Sequence, residues 1–242
     1  MASLKDKRVV VVGGGSGIGL AVAEGALADG AQVVVASSNA QRVQAAAARL
    51  GERAEALAVD VTDEAEVARF AKSVGGLDHL VFTAGDWGGP RRGSLADTDI
   101  DAAASVFGVR FWGALRCAKH LAGQVAPGGS IVLTNGMIAH KPTKGSSVST
   151  AMAGAIEHLT RALAVELAPV RVNCVCPGAI RTGVWDSIPE DQREARLQQM
   201  TARLPIARVG EPDEAAEAYL YLLRGGYTTG QVLRVDGGSS VQ

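Results

Sequence analysis

Cysteine, aromatic side chains and net charge are all scarce in this chain of 242 residues. Three cysteines cannot all pair internally, and Cys174 and Cys176, separated by a single residue, lack metal-finger spacing. They are expected to serve as small buried hydrophobes in a reducing cytoplasm, and no metal site is expected. With 24 Lys+Arg against 25 Asp+Glu the formal charge is −1, which argues against a nucleic-acid-binding surface. No apolar run approaches the roughly 18 residues of a membrane span. The opening Met-Ala-Ser-Leu-Lys-Asp has no signal-peptide core, so a cytoplasmic protein without membrane association is expected. Hydrophobic residues at 47% and charged ones at 20% exclude disorder. A chain this long can bury roughly 70% of its unfolded surface without staples.

What is present is a regular alternation. Short β-branched runs predict strands at 8–12, 32–36, 54–59, 77–82, 130–134, 170–175 and 231–235. Between them, alanine-rich segments with helical spacing predict helices at 18–29, 40–50, 64–74, 100–125, 150–167 and 213–224. Thr62 or Asp63 caps the third. The segment 178–203 reads as mixed loop and helix. Strands separated by such helices form βαβ units around a parallel sheet. The expected architecture is one doubly wound α/β domain over 1–242, with about seven parallel strands and helices on both faces. Val106, Phe107, Val109, Phe111, Trp112, Leu115 and Cys117 make the 100–125 helix apolar nearly all round. That pattern means burial on two sides, one against the sheet and the other against a second subunit or, alternatively, the helix's own loops.

The first predicted strand runs into Gly13-Gly14-Gly15-Ser16-Gly17-Ile18-Gly19, which opens a helix. Glycines permit a tight turn and close approach to a pyrophosphate, and the helix N-terminus offers free N–H groups and the positive end of its dipole. After the second strand, where an acidic residue would hold the ribose of NAD, the chain has Ser37, Ser38 and Asn39. With no carboxylate there, a 2′-phosphate is admissible and NADP is preferred over NAD, with Arg42 nearby.

Several ordered motifs resemble the classical short-chain dehydrogenase/reductase family over nearly the whole length. Val12 through Gly19 is similar to its Thr-Gly-x-x-x-Gly-x-Gly loop, with Val12 in place of threonine. Asp60-Val61 is similar to the pair that contacts adenine. Thr83-Ala84-Gly85 is similar to the end of Asn-Asn-Ala-Gly, and Pro177-Gly178-Ala179-Ile180-Arg181-Thr182 to the loop beside the nicotinamide. The stretches 208–212 and 229–238 are similar to the family's C-terminal segments. The resemblance implies a Rossmann-type fold, a nicotinamide dinucleotide partner and a homotetramer. It assigns cofactor contacts to Gly13, Gly15, Ser16, Gly17, Ile18, Gly19, Ser37, Ser38, Asp60, Val61, Thr83, Ala84, Gly85, Pro177, Gly178, Ile180 and Thr182.

The family's catalytic tetrad is missing. Local register puts Arg110 at the asparagine position, Gly136 at the serine, Ser149 at the tyrosine and Ala153 at the lysine. The only tyrosines are Tyr219, Tyr221 and Tyr227, so no slip of register restores the motif. A positioned acid/base contributes ~10²–10⁴-fold, and Gly136 offers no oxyanion donor. The expectation is a cofactor-binding protein deficient in ordinary hydride transfer, acting on an unknown small molecule as a sensor or partner subunit. The alternative is an atypical enzyme in the same cleft, either an oxidoreductase or a non-redox catalyst. Its candidate acid/base is His140, an imidazole suited to proton transfer near neutrality. Lys144 and Arg110 would offset negative charge and Trp87 would wall the substrate. His79, His120 and His158 are expected to be structural.

Overall fold

The computed structural model describes residues 3–85 and 93–242. Its elements run β1 (Arg8–Val12), α1 (Gly17–Ala28), β2 (Gln32–Ser37), α2 (Ala40–Leu50), β3 (Ala54–Ala58), α3 (Glu64–Val74) and β4 (Leu77–Phe82). There follow α4 (Ile100–Ala104), α5 (Ala114–Leu121), β5 (Val125–Thr134), α6 (Ser147–Glu166), β6 (Arg171–Pro177), α7 (Glu190–Thr201), α8 (Pro212–Arg224) and β7 (Val232–Val235). The strands form one seven-stranded parallel sheet in the order β3-β2-β1-β4-β5-β6-β7.

The sheet is buried from both sides because its strands carry apolar residues on both faces. Val9 and Val11 enter the core built with α1 and α8, whereas Val10 and Val12 enter the core built with α3, α5 and α6. All four are fully buried, each contributing about 1.5–3 kcal/mol of apolar burial. Asp63 caps α3, accepting from the N–H groups of Ala65 and Glu66.

Four boundaries depart from the sequence reading. The expected helix over 100–125 is broken: α4 passes into a 3₁₀ turn at Ser105–Phe107, a π-helical segment at Gly108–Gly113, and then α5. Gly113 explains part of this, since a Cβ there would lie 2.7 Å from Val61 Cγ2, so the helix rides close over the Val61 loop. Among the described residues its apolar circumference is covered unevenly. Val106 and Cys117 are in the core, while Trp112 remains 48% exposed beside Phe111. β5 starts at Val125 rather than 130, through an irregular stretch where Gly128 takes φ +81°. α6 begins three residues earlier than expected, at Ser147, and 190–201 is a full helix.

Candidate functional site

Strand order reverses between β1 and β4, the switch point at which open α/β sheets bind ligands. The loop after β1 meets the end of β4 there. Thr83 donates its N–H to Val12 O at 2.8 Å, and a Cβ on Gly13 would stand 2.5 Å from Ala84 N. Gly13 also holds φ +93°, a conformation that favours glycine. A Cβ on Gly19 would stand 2.3 Å from Gly13 O, so the loop folds onto the first turn of α1 only because both positions are bare. Ser16 precedes α1 without making a side-chain cap, and the first turn holds no acidic residue. These N–H groups therefore face the cleft without a competing carboxylate, as a pyrophosphate requires. Across the cleft, Thr182 Cγ2 lies 3.1 Å from the Cβ position of Gly17. Gly178 is held by Val235 O at 2.9 Å, and Ile180 bridges to Gly210. The glycine loop, Thr83-Ala84-Gly85 and Pro177–Thr182 thus converge on one cleft.

At the far end, Ser37 Oγ accepts from Asn39 N, while the cap of α2 is Asn39, which accepts from Arg42 N at 2.9 Å. Ser37 and Ser38 are therefore not the helix cap. The aliphatic part of Arg42 lies along Gly15, its Cγ 3.1 Å from the Cβ position there. Asp60 accepts from Thr62 N and Oγ1, which hold its carboxyl below the usual range.

The tetrad positions are brought to one edge of this cleft. Ser149 donates to Ser146 O in the first turn of α6, and Ala153 is buried one turn later. At Gly136 a Cβ would meet nothing within 4 Å, so open space stands where a serine would project. Arg110 sits in the π-helical segment, and its guanidinium packs against Gly85, with Nη2 2.8 Å from that residue's Cβ position. A cavity of about 400 Å³ adjoins the start of α6, lined by Ser94, Thr143, Lys144, Ser146 and Thr150. Trp87 lies outside the described residues.

His140 is not alone. Its Nε2 lies 2.6 Å from Glu157 Oε1, a contact too oblique for an aligned N–H···O bond, and its Nδ1 accepts from Arg234 Nη2 at 3.3 Å. Because a guanidinium only donates, this fixes the neutral ring's proton on Nε2. Glu157 also accepts from Asn135 Nδ2 at 2.9 Å and lies 3.8 Å from Arg161. The Cys176 thiol adjoins the pair, pushed up to about 12 by burial and then by Glu157. Cys174 is raised by burial and, among smaller causes, by Glu157, while Arg110 opposes the rise; carboxylate and guanidinium therefore share this buried neighbourhood. The donor atoms of His140, Glu157 and Cys176 lie within 4.8 Å of one another. The Arg161 guanidinium already stands 3.8 Å from Glu157, and Arg234 on Nδ1 leaves the proton on the ring atom a metal would need.

Sequence reasoning missed Glu157, Asn135 and Arg234. The available signal was spacing: Glu157 follows Ala153 by four residues, hence on the same helix face. The other histidines are structural. His79 is buried against Ser130 Oγ at 2.9 Å, His120 pairs with Glu64, and His158 bonds the Gly154 carbonyl. Tyr219 is fully buried with its hydroxyl on Thr134 Oγ1, and burial raises its pKa.

These features define a nucleotide-binding α/β fold of the Rossmann type, and comparison with known proteins agrees. The family described as enoyl-(acyl carrier protein) reductase matches residues 13–240. The short-chain dehydrogenase/reductase ATR9 of Stachybotrys chlorohalonatus is 34% identical over all of both chains. The chain belongs to the short-chain dehydrogenase/reductase family. Among solved structures it is similar to the MalC reductase/Diels-Alderase of Malbranchea aurantiaca (32% identity, TM-score 0.91, covering 99% of this chain and 98% of that one). It is also similar to an NADPH-bound short-chain oxidoreductase of Pseudomonas aeruginosa PAO1 described as containing an atypical catalytic center (31%, TM-score 0.90, covering 98% and 99%). No helix among the described residues is long and apolar enough to cross a membrane.

Proposed function

We propose that the protein is an NADP(H)-dependent oxidoreductase of a carbonyl or alcohol substrate that works without the family's tyrosine–lysine pair. The observation that carries this reading is Arg110. Its guanidinium sits at the inner end of an otherwise intact cofactor cleft, against Gly85, in a family whose reaction develops negative charge on a carbonyl oxygen. The cradle fits the cofactor: added Cβ atoms at Gly13 and Gly19 would collide with Thr83, Ala84 and the Gly13 carbonyl, so glycine at both positions lets the loop close tightly over the start of α1, as a pyrophosphate-binding turn requires. The residues that would hold it are Gly13, Gly15–Gly19, Asp60-Val61, Thr83–Gly85 and Pro177–Thr182. Ser37 and Ser38 present no carboxylate to a 2′-phosphate, and Arg42 is placed beside it, favouring NADPH over NADH. When bound, the cofactor supplies the hydride. Arg110 then serves as the cation that steadies the developing oxyanion, the task Gly136 cannot perform.

Reductases and dehydrogenases among the relatives support an enzyme over the cofactor sensor that the missing tetrad first suggests, and the Pseudomonas relative supports an atypical centre. The test is an NADPH fluorescence titration followed by a screen of aldehydes, ketones and quinones. Binding with turnover of at least one carbonyl class is expected; binding with none returns the sensor reading. Exposed Trp112 and Val165 support a homotetramer. Sedimentation at micromolar concentration checks it, with Trp112→Glu expected to yield a smaller, folded species.

A further inference from the structure

We infer that Glu157 and His140 form the proton relay of this site, replacing the missing tyrosine and lysine. The inference rests on the reductase reading above and supplies the proton that reading leaves unassigned.

Burial comes first. Glu157 is 7% exposed and Ala153 1%, and both stand on the sheet-facing side of α6, one turn apart. A carboxylate so placed is costly unless paired. Glu157 is paired by Asn135, His140 and the more distant Arg161. Truncation at position 153 removes the side chain that would stand between it and the cleft. Asn135 links Glu157 to the strand end from which Gly136 projects no side chain, into space wide enough for a bridging water. His140 completes the route outward. Its side chain is 20% exposed, so solvent reaches a ring whose Nε2 touches the buried carboxylate.

The surrounding charges keep the pair balanced. Arg234 on β7 faces Nδ1, Cys176 on β6 adjoins the pair, Arg161 lies on α6, and Asp236 follows β7. The Nε2 proton passes to Glu157 Oε1 once the ring turns it into line, while Nδ1, released by Arg234, takes a proton from solvent, so the ring stays neutral and Glu157 becomes the acid. That proton leaves Glu157 through water at Gly136 and forms the O–H bond on the substrate oxygen as the carbonyl carbon is reduced. Glu157 is then a carboxylate again, and exchange with solvent returns the ring proton from Nδ1 to Nε2.

The experiment uses the full-length protein with NADPH and 9,10-phenanthrenequinone, an activated carbonyl probe. Wild type, Glu157→Gln and His140→Ala are compared from about pH 5 to 9. NADPH affinity is expected to stay within about twofold, while Glu157→Gln lowers kcat at least about tenfold and flattens its pH profile. His140→Ala loses rate that added imidazole restores, a rescue that a merely structural histidine would not show. Independently of turnover, nitrogen NMR of the His140 ring is expected to show the proton on Nε2 and a shift of that signal in Glu157→Gln. Wild-type turnover left intact by Glu157→Gln overturns the relay alone. Absence of wild-type turnover on this probe and across the carbonyl screen overturns the reductase reading and the relay with it.

Discussion

The Arg110 guanidinium lies against Gly85, so near that a Cβ on the glycine would stand 2.8 Å from Nη2 and 3.0 Å from Nε. The obstructing atoms are the far end of a flexible side chain, so Gly85→Ala moves the guanidinium rather than the backbone. If Arg110 steadies an oxyanion, Arg110→Met should lower kcat about 10²–10³-fold with NADPH affinity kept. Gly85→Ala should cause a smaller loss in the same parameter. Steady-state kinetics on the best carbonyl from the screen, paired with fluorescence titration, checks both. A fall in affinity without a fall in kcat would place Arg110 in the cofactor site instead.

Cofactor choice is set at the other end of the cleft. Ser37→Asp puts a carboxylate beside the ribose and should reverse the NADPH preference, by tenfold or more for each ~1.4 kcal/mol of repulsion. Arg42→Ala should weaken NADPH and spare NADH, because Arg42 flanks Gly15 from the α2 side. Titrations with both cofactors decide this; equal losses for the two would show that Arg42 braces the loop rather than reading the phosphate.

The sheet and the cofactor loop were legible because each rests on local rules: fully apolar strands for a doubly covered sheet, glycines where backbone meets backbone. The broken 100–125 segment was not. Periodicity finds an apolar stripe but not the tertiary approach of Gly113 to Val61, or the π-helical segment in which Arg110 lies. At the reaction edge the losses at 110, 136, 149 and 153 were readable one by one. Glu157 was hidden because its partners Asn135 and His140, and the Arg234 that holds His140, lie far from it in sequence and only the fold brings them together.

Acid should weaken the fold through His79. Burial pushes this histidine down from 6.5 to about 4, so the folded state favours the neutral ring bonded to Ser130. A depressed histidine contributes stability that is complete above the unfolded value and is lost as pH falls from 6.5 toward 4. The cost should be about 2 kcal/mol by pH ~5. His79→Asn, which keeps a polar atom near Ser130, should remove that part of the pH dependence. Urea unfolding at about pH 7.5 and 5 measures the difference. Parallel losses in both proteins would assign the effect to other groups.

Rebuilding the family's acid is the most demanding test of why this site departs from it. Gly136→Ser should be tolerated, since its Cβ meets no atom within 4 Å and its backbone is extended. Ser149→Tyr alone should do little, because a phenol without an adjacent ammonium keeps a pKa near ~10. Ala153→Lys alone places a charge at a position 1% exposed. It should lower the melting temperature unless the new ammonium turns down the helix to Glu157, one turn away. The Ser149→Tyr/Ala153→Lys pair should therefore raise carbonyl reduction above either single change, and Gly136→Ser should raise it further. These groups act as a unit, so the gains should be far from additive. If Glu157 is the native proton source, adding Glu157→Gln to the rebuilt triple variant should cost much less than it costs the wild type, because the proton now comes from the phenol. An undiminished cost would mean that Glu157 acts on the fold of the site and not on the proton.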